Sequence, residues 1–281
     1  MRTIADLRSL RAAVQAWKKD GRRVGFVPTM GNLHAGHYSL VELARRNADR
    51  VVASVFVNPT QFGPNEDYTR YPRTLAQDTV GLVDHQCDLL FVPAVETMYP
   101  SGPEHALRVH VPDVGDTLEG EHRPGHFDGV ATVVAKLLAM VDPDVAVFGA
   151  KDWQQLLVVR RLVHELAMPV EIVSGPIVRE ADGLAMSSRN RYLDEVQRGR
   201  APQLHGTLEW MRESFREGHV RAAIEGAAMR RLERAGFVPD YAVVRRAEDL
   251  AVPAEDDRTG LMALVAAKLG DTRLIDNLPF D

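Results

Sequence analysis

Two histidines three residues apart, His34 and His37, stand at the start of a predicted helix. Residues at this spacing share one side of a helix, so both imidazoles can meet the same bound group. The free N–H groups and the positive dipole end of a helix N-terminus attract an anion to that position. An imidazole that donates a hydrogen bond can also stabilise charge building up on phosphate oxygens. The pair therefore predicts a site where a phosphorylated ligand, most simply a nucleotide, reacts.

The residues around the histidines read as a strand, a turn and a helix. Val24–Val27 predicts a buried strand, and the helix begins near Gly36 and continues to about residue 47. A strand that leads through a glycine-bearing turn into a helix is the usual phosphate-binding arrangement of an open α/β sheet. Two plainer interpretations are a capping histidine beside a packing one, or a zinc site. The crowding of Pro28, Gly31 and Gly36 disfavours the first, and the lack of a further ligand at suitable spacing nearby disfavours the second.

Strands alternate with helices over the first part of the chain. This alternation predicts a Rossmann-like, doubly wound parallel sheet with right-handed crossovers and a binding crevice beyond the carboxyl ends of the strands. A polar connection, 101–128, interrupts the alternation. The predicted strands are Val24–Val27, Val51–Val57, Asp88–Pro93, Val145–Phe148 and Val170–Val173, and the predicted helices are Ala5–Lys19, Gly36–Asn47, Pro72–Gln86, Val130–Met140 and Trp153–Leu166.

The pattern changes after Pro176. The predicted elements there are helices over Asp194–Arg216 and Ala222–Ala235, a strand over Tyr241–Arg245, and a hairpin of Leu261–Leu269 and Thr272–Ile275 that turns at Gly270 and Asp271. We therefore expect two domains: residues 1–176 as the larger one, and residues 177–281 as a smaller α+β domain.

Composition narrows the class of protein. The chain has 281 residues, of which 45% are hydrophobic and 26% charged, as in an ordinary soluble globular protein. Its net charge is -5, whereas nucleic-acid-binding proteins usually carry an excess of basic residues, so the charge argues against that class. The single cysteine, Cys87, excludes an internal disulfide and is expected in the core. With no signal peptide or apolar span in the sequence, we expect a cytoplasmic protein without a membrane partner.

Longer strings of residues resemble a known family. Residues 34–37, His-Ala-Gly-His, match the His-x-Gly-His signature of the nucleotidyltransferase superfamily, and the longer string Pro-Thr-Met-Gly-Asn-Leu-His-Ala-Gly-His resembles the pantothenate synthetase family. The resemblance continues in order along essentially the whole chain. The further similar segments are 56–62 (Phe-Val-Asn-Pro-Thr-Gln-Phe), 71–74 (Tyr-Pro-Arg-Thr), 123–127 (Arg-Pro-Gly-His-Phe), 148–155 (Phe-Gly-Ala-Lys-Asp-Trp-Gln-Gln), 186–193 (Met-Ser-Ser-Arg-Asn-Arg-Tyr-Leu) and 274–277 (Leu-Ile-Asp-Asn).

The resemblance implies a reaction. Members of this family join (R)-pantoate to β-alanine with ATP, through an enzyme-bound pantoyl adenylate, and release pyrophosphate and AMP. It also implies that Mg²⁺ arrives with ATP, that the smaller domain acts as a lid, and that the protein is a homodimer. No protein ligand to the metal is assigned.

The resemblance also implies roles for individual residues. His37 is the expected proton donor, with His34 and Lys151 as its catalytic neighbours. The family pattern has Glu where this chain has Ala150, so a role at that position would run through the backbone. Elsewhere in the superfamily a Lys often stands where this chain has Ser or Arg in the 186–189 loop. The full expected ATP site comprises Met30, Gly31, Asn32, Leu33, His34, Ala35, Gly36, His37, Gly149, Ala150, Lys151, Asp152, Val178, Met186, Ser187, Ser188 and Arg189.

Two glutamines, Gln61 and Gln155, are the implied ligands of pantoate and β-alanine. An amide both donates and accepts hydrogen bonds, which suits a substrate with a carboxylate and two hydroxyls. Asn58, Arg123 and His126 are further candidates for substrate or phosphate contact.

Two alternatives stay open at this point. One is a nucleotidyltransferase of the same superfamily that acts on another small substrate, transfers a nucleotidyl group and stops. The other is a non-catalytic module, descended from a synthetase-like domain, that binds a nucleotide or RNA. The acidic balance and the intact set of His34, His37 and Lys151 argue against the second.

Overall fold

A six-stranded parallel sheet forms the larger part of the structure, a computed structural model that describes residues 1–64 and 66–280. The strands are β1 Arg2–Ile4, β2 Val24–Thr29, β3 Arg50–Val55, β4 Leu89–Phe91, β5 Val145–Gly149 and β6 Glu171–Gly175. Their spatial order is β1-β4-β3-β2-β5-β6, so the winding reverses between β2 and β5. Ligands of open α/β sheets bind at such a reversal, beyond the carboxyl ends of the strands.

Helices cover both faces of this sheet, which confirms the doubly wound prediction. The helices are α1 Leu7–Lys19, α2 Ala35–Asn47, α3 Leu75–Asp84, α4 Val95–Met98, α5 Glu119–His122, α6 His126–Val141 and α7 Trp153–Glu165. Successive side chains of a strand point to opposite faces, and β2 shows it: Phe26 packs in the core beneath α1, α6 and α7, whereas Val27 packs in the core beneath α2 and α3. Cys87 is buried in the second of these cores, as expected.

Several predicted boundaries were wrong. Strand β1 was missed because its three residues are too few to show a periodic pattern; it pairs in parallel with β4. Helix α1 begins after Asp6, whose carboxylate accepts a hydrogen bond from the N–H of Ser9 at 2.8 Å. The connection 101–128 is not wholly irregular, since it contains α5 and the first residues of α6. No helix among the described residues is long and apolar enough to cross a membrane.

A second, antiparallel sheet of three strands forms near the C-terminus. The elements of this part are α8 Glu195–Arg200, α9 Gln203–Arg216, α10 Arg221–Arg234, β7 Val238–Arg246, β8 Leu261–Leu269 and β9 Thr272–Pro279. The strand order is β7-β8-β9, and the predicted hairpin is confirmed, with Gly270 at φ 59° in its turn. The predicted helix over 194–216 is two helices, because the chain breaks around Pro202, which has no N–H to donate.

The two faces of this small sheet pack differently. Ala263 and Val265 of β8 belong to a core shared with α9 and α10. Met262 and Leu264, which point the other way, belong to the core that contains α6 and α7. The small sheet therefore packs directly on the core of the larger part that contains α6 and α7. The domain boundary at residue 176 stays a prediction, and residue 281, the last of the predicted second domain, lies outside the described residues.

Candidate active site

Two adjoining cavities lie beyond the carboxyl ends of β2 and β5. The inner cavity, of about 230 Å³, is bounded by the turn after β2, the start of α2 and the 186–189 loop. The outer cavity, of about 700 Å³, extends from it towards the small sheet. The residues that line both are Met30, Gln61, Lys151, Asp152, Gln155, Ser187 and Arg189.

The inner cavity brings most of the predicted site residues together. Five of the predicted ATP residues lie outside its lining, namely Gly31, Asn32, Leu33, Ala35 and Ala150, and Arg123 and His126 line the outer cavity alone. The predicted residues that line the inner cavity are Met30, His34, Gly36, His37, Asn58, Gln61, Gly149, Lys151, Asp152, Gln155, Val178, Met186, Ser187, Ser188 and Arg189.

His34 and His37 cap helix α2 reciprocally. The Nδ1 atom of His34 accepts the N–H of Gly36 at 3.2 Å, and Nδ1 of His37 accepts the N–H of His34 at 3.4 Å. The two rings lie 4.1 Å apart between centroids. Because each Nδ1 is an acceptor, each neutral ring carries its proton on Nε2. The capping interpretation and the ligand-binding interpretation are thus compatible, since capping leaves both Nε2–H groups for a ligand.

The surroundings of the two rings disfavour their charged forms. Burial, His34 and the Lys151 charge lower the pKa of His37 to about 3. Burial and Lys151 likewise lower the pKa of His34 to about 4. Both rings are therefore neutral hydrogen-bond donors at neutral pH in the ligand-free protein.

These shifts predict an acid-sensitive fold. Burial and the Arg123 charge also lower the pKa of His126 to about 4. A histidine in the unfolded chain titrates near about 6.5, so below that pH the unfolded chain binds more protons than the folded one. We expect the free energy of unfolding, measured by urea denaturation, to decrease as the pH is lowered from 6.5 to 5. A free energy that stays constant or rises over this interval would contradict the three lowered pKa values.

A carboxylate that the sequence analysis missed fixes the turn before α2. Asp78 of α3 is buried, and its two oxygens accept the N–H groups of Asn32 at 3.0 Å and Leu33 at 2.8 Å. Thr74 donates to the same carboxylate at 3.1 Å. Gly31 precedes this turn at φ 85°, and a Cβ atom there would meet Asp78 at 3.1 Å. Nothing local in the sequence signals this contact, because it joins segments more than forty residues apart in the chain.

The segment that follows β5 supplies a cation. The Lys151 ammonium lies 3.9 Å from the carboxylate of Asp152, which is longer than a hydrogen bond. Its charge is therefore left for a ligand in the two cavities that it lines. The Ala150 side chain lies outside both linings, so nothing here requires a larger residue at that position.

The 186–189 loop lies against the start of α2. Ser188 donates to the carbonyl of Asn32 at 3.0 Å, and the N–H of Met186 donates to the carbonyl of Val178 at 3.0 Å. Arg189 does not reach into the cavities unpaired: its guanidinium makes two hydrogen bonds to Asp67, at 3.1 and 3.0 Å. An incoming anion would have to compete with that carboxylate for the arginine.

The two predicted glutamines differ in their freedom. The Gln61 amide is held on both sides, accepting from Asn58 at 3.0 Å and donating to the sulfur of Met30 at 3.1 Å. Asn58 is itself fully buried and also bonds Tyr99 at 2.7 Å, so it orients Gln61 and is not free for a ligand. Among the described residues, the side-chain amide of Gln155 has no hydrogen-bond partner, so it is available to a ligand in either cavity.

Arg123 and His126 are engaged by protein groups. Arg123 makes two hydrogen bonds to Glu66, at 2.7 and 2.6 Å, and one to His126 at 3.0 Å. The other ring nitrogen of His126 donates to the carbonyl of Gln61 at 2.8 Å. Both residues therefore contact and stabilise the loop that carries Gln61. Over residues 1–64 and 66–280, no group of three or more His, Cys, Asp or Glu side chains is arranged to hold a metal ion.

Comparison with known proteins shows the family of this chain. A family model described as pantoate-beta-alanine ligase matches residues 2–279. The chain is 59% identical, over 280 residues and 100% of both chains, to the pantothenate synthetase of Xanthomonas axonopodis pv. citri (strain 306). The chain belongs to the pantoate–β-alanine ligase family. The family resemblance seen in the sequence is thus confirmed, and the pantothenate synthetase of Xylella fastidiosa (strain M12) is likewise 59% identical over 99% of both chains.

Solved structures of other pantoate–β-alanine ligases share the whole fold. The pantothenate synthetase of Thermus thermophilus has a TM-score of 0.93 and 50% identity, covering 100% of this chain and 99% of that one. The Francisella tularensis ligase, solved in complex with beta-gamma ATP and β-alanine, has a TM-score of 0.83 and 32% identity, covering 100% and 98% of the two chains. Both sheets of this ligase family member therefore follow the fold of solved relatives.

Proposed function

We propose that this chain condenses (R)-pantoate with β-alanine at the expense of ATP, through a pantoyl adenylate. The observation that carries the proposal is the meeting of two Nε2–H donors, the Lys151 ammonium and two glutamine amides around one cavity. That set offers donors for a polyphosphate on one side and both donors and acceptors for a hydroxy acid on the other.

ATP is proposed to bind at the start of α2. His34 and His37 would donate their Nε2–H groups to phosphate oxygens, and Lys151 would neutralise charge on the α-phosphate. The anion itself favours protonation of the nearby histidines, which offsets the lowered pKa of His37 and makes proton donation by this residue feasible once ATP is bound. The 186–189 loop supplies hydroxyls near the terminal phosphates, and Arg189 joins them on leaving Asp67. Val178 lies at the adenine side of the cavity.

Pantoate is proposed to bind beside Gln61 and Gln155. Its hydroxyls and carboxylate match the amide groups, and its two methyl groups match the apolar wall that Val130, Val134 and Leu137 of α6 contribute. The carboxylate oxygen attacks the α-phosphorus of ATP, and pyrophosphate leaves with the bonding electron pair. The β-alanine amine then attacks the acyl carbon of the anhydride, and AMP leaves. The small inner cavity protects the pantoyl adenylate, because it leaves little room for water that would hydrolyse the anhydride.

Mg²⁺ is proposed to enter on the triphosphate, as MgATP, and we assign it no protein ligand. Residues 177–281 are proposed to act as a lid, because the 186–189 loop belongs to them and covers the inner cavity. We keep the cytoplasm as the proposed location, where ATP is available and the lone thiol of Cys87 stays reduced.

A homodimer is also proposed. Its support is the segment 106–111, Ala-Leu-Arg-Val-His-Val, which lies outside the described strands although its residue types favour them. Within the described residues, the N–H groups of Leu107, Arg108 and His110 have no hydrogen-bond partner, and Leu107 is 79% exposed. Such an edge can pair with the same segment of a second copy.

Light scattering on a sizing column tests the dimer. The dimer mass is expected for the wild type, and Leu107→Asp should shift it towards the monomer, whereas Leu166→Asp, at another exposed leucine, should not. A monomeric wild type would remove the proposal.

The two half-reactions test the proposed function separately. With pantoate and labelled pyrophosphate but no β-alanine, we expect label to enter ATP; adding β-alanine should then yield AMP and pantothenate, identified by mass. Pyrophosphate exchange without transfer of the pantoyl group to β-alanine would instead support a nucleotidyltransferase. ATP binding with neither pyrophosphate exchange nor AMP release would instead support a non-catalytic nucleotide-binding module.

Gln61→Ala is expected to weaken the use of pantoate more than that of ATP. The variant leaves a substrate polar group without its amide partner, and an unmatched buried polar group costs about 1–3 kcal/mol. We expect KM for pantoate in the exchange assay to rise about 5–150-fold, from that free-energy range, with KM for ATP changed little. Gln77→Ala, on the exposed side of α3, is the control. An unchanged KM for pantoate would place the acid elsewhere.

A further inference from the structure

The dipeptide Asp276-Asn277 of β9 reaches from the small sheet into the segment that carries Lys151. Asn277 is only 4% exposed, and both N–H bonds of its side-chain amide are used. They donate to the carbonyl of Ala150 at 2.9 Å and to the carbonyl of Lys151 at 2.8 Å. One side chain therefore fixes two successive peptide groups, on either side of the Lys151 Cα atom.

The neighbouring carboxylate fixes Asn277 in turn. Asp276, whose side chain is 1% exposed, accepts two hydrogen bonds from Arg179, at 2.7 and 3.1 Å, and one from the N–H of Asn277 at 2.8 Å. Arg179 directly follows Val178, which lines the inner cavity. The dipeptide thus holds two separate segments that line the inner cavity, the one with Val178 and the one with Lys151.

We propose that Asn277 is a positioning residue that sets the location of the Lys151 ammonium in the active site. Lysine has a long, flexible side chain, and among the described residues the nearest ion-pair partner of Lys151 is Asp152 at 3.9 Å, so the placement of the ammonium depends on where its backbone is held. Two hydrogen bonds from a buried amide remove the freedom of that backbone to rotate. The inference rests on the proposed function for its kinetic consequence, and on geometry alone for its effect on Lys151.

Two variants probe the contact. In Asn277→Asp a carboxylate oxygen of nearly the same shape faces the two carbonyls and donates nothing. In Asn277→Ala the side chain is removed and the carbonyls are left free. The matched control is Asn47→Ala, because the Asn47 amide also donates to a backbone carbonyl, that of Leu43 at 2.8 Å, but at the far end of α2.

The kinetic readout is a double-mutant cycle with Lys151→Ala, using pantoate-dependent pyrophosphate exchange. We expect Asn277→Ala to lower kcat about 10–100-fold, as a displaced catalytic group does, with KM for pantoate unchanged. In a Lys151→Ala background the same change should lower kcat less than about twofold, because the group that Asn277 positions is already absent. Equal effects of Asn277→Ala in both backgrounds would overturn the proposal and leave a purely structural contact.

A spectroscopic readout keeps the test independent of activity. The chain has few lysines, so reductive methylation with carbon-13 formaldehyde gives few NMR signals, each assigned by a Lys→Arg variant. Asn277→Ala and Asn277→Asp should shift the Lys151 signal and leave that of Lys18, which pairs with Asp142, in place. An unmoved Lys151 signal in both variants, with folding intact by thermal denaturation, would refute the positioning role. If the wild type is inactive but the Lys151 signal still shifts in the Asn277 variants, the proposed function is refuted and the positioning role stands.

Discussion

Replacing His37 by alanine is expected to lower kcat by about 10²–10⁴-fold, the usual cost of losing a proton-transfer group or a donor to transition-state charge. The ring is half-buried at the start of α2, with Nδ1 committed to the backbone and Nε2–H left for the cavity that the ring lines. His34 caps a different N–H, so it cannot take over the cap that His37 makes. Steady-state kinetics with saturating pantoate, ATP and β-alanine measures the effect.

Two further variants separate the roles of His37. His37→Asn keeps an acceptor for the capping N–H, and we expect it to restore stability without restoring kcat. His105→Ala, at an exposed position, is the control and should leave kcat unchanged. Wild-type turnover in His37→Ala would remove this residue from the mechanism.

Replacing Glu119 by alanine is expected to lower the free energy of unfolding by about 3–5 kcal/mol, the cost of breaking a buried ion pair from one side. Glu119 of α5 is 6% exposed and pairs with Arg273 of the small sheet and with Arg123, 3.3 Å away. Its second oxygen accepts from Tyr241 at 3.2 Å. The variant leaves the half-buried guanidiniums of Arg123 and Arg273 with one carboxylate fewer, although Glu66 and Asp240 still pair with them. Urea denaturation at pH 7 measures the change.

Acid titration of the same ion pair gives an independent check. Burial alone would raise the pKa of Glu119, but the charge and hydrogen bond of Arg273, together with Arg123, lower it to about 2. A lowered folded-state pKa adds stability above the unfolded value of about 4.3, and this stability is lost as the pH falls towards the folded value.

The control for Glu119→Ala is Glu121→Ala, on the exposed side of α5, which should leave the free energy of unfolding unchanged. A loss below about 1 kcal/mol in Glu119→Ala would contradict the buried-pair account.

The sequence predicted well those features whose cause is local. The strand, turn and helix around His37 follow from residues that are adjacent in the chain, and the hairpin follows from Gly270 at its turn. The break at Pro202 also had a local signal, which the interpretation of one continuous helix overlooked. Strand β1 had none, because it is defined by its pairing with β4 rather than by its own residues.

The supporting residues of the site were not predictable in the same way. Asp78, Glu119 and Asn277 each contact a segment that lies more than forty positions away in the sequence. Their roles depend on side chains that cross between elements, and such contacts leave no period or motif in one sequence. Asn277 lay in a segment that resembled the family, but only the fold shows what its amide touches.

The most direct test of the proposed function follows one oxygen atom. Pantoate labelled with heavy oxygen in its carboxylate is incubated with ATP and β-alanine, and the masses of AMP and pantothenate are measured. Attack of the carboxylate on the α-phosphorus predicts AMP that carries one heavy oxygen and pantothenate that retains the other. AMP without heavy oxygen, or ADP as the nucleotide product, would contradict the adenylate route.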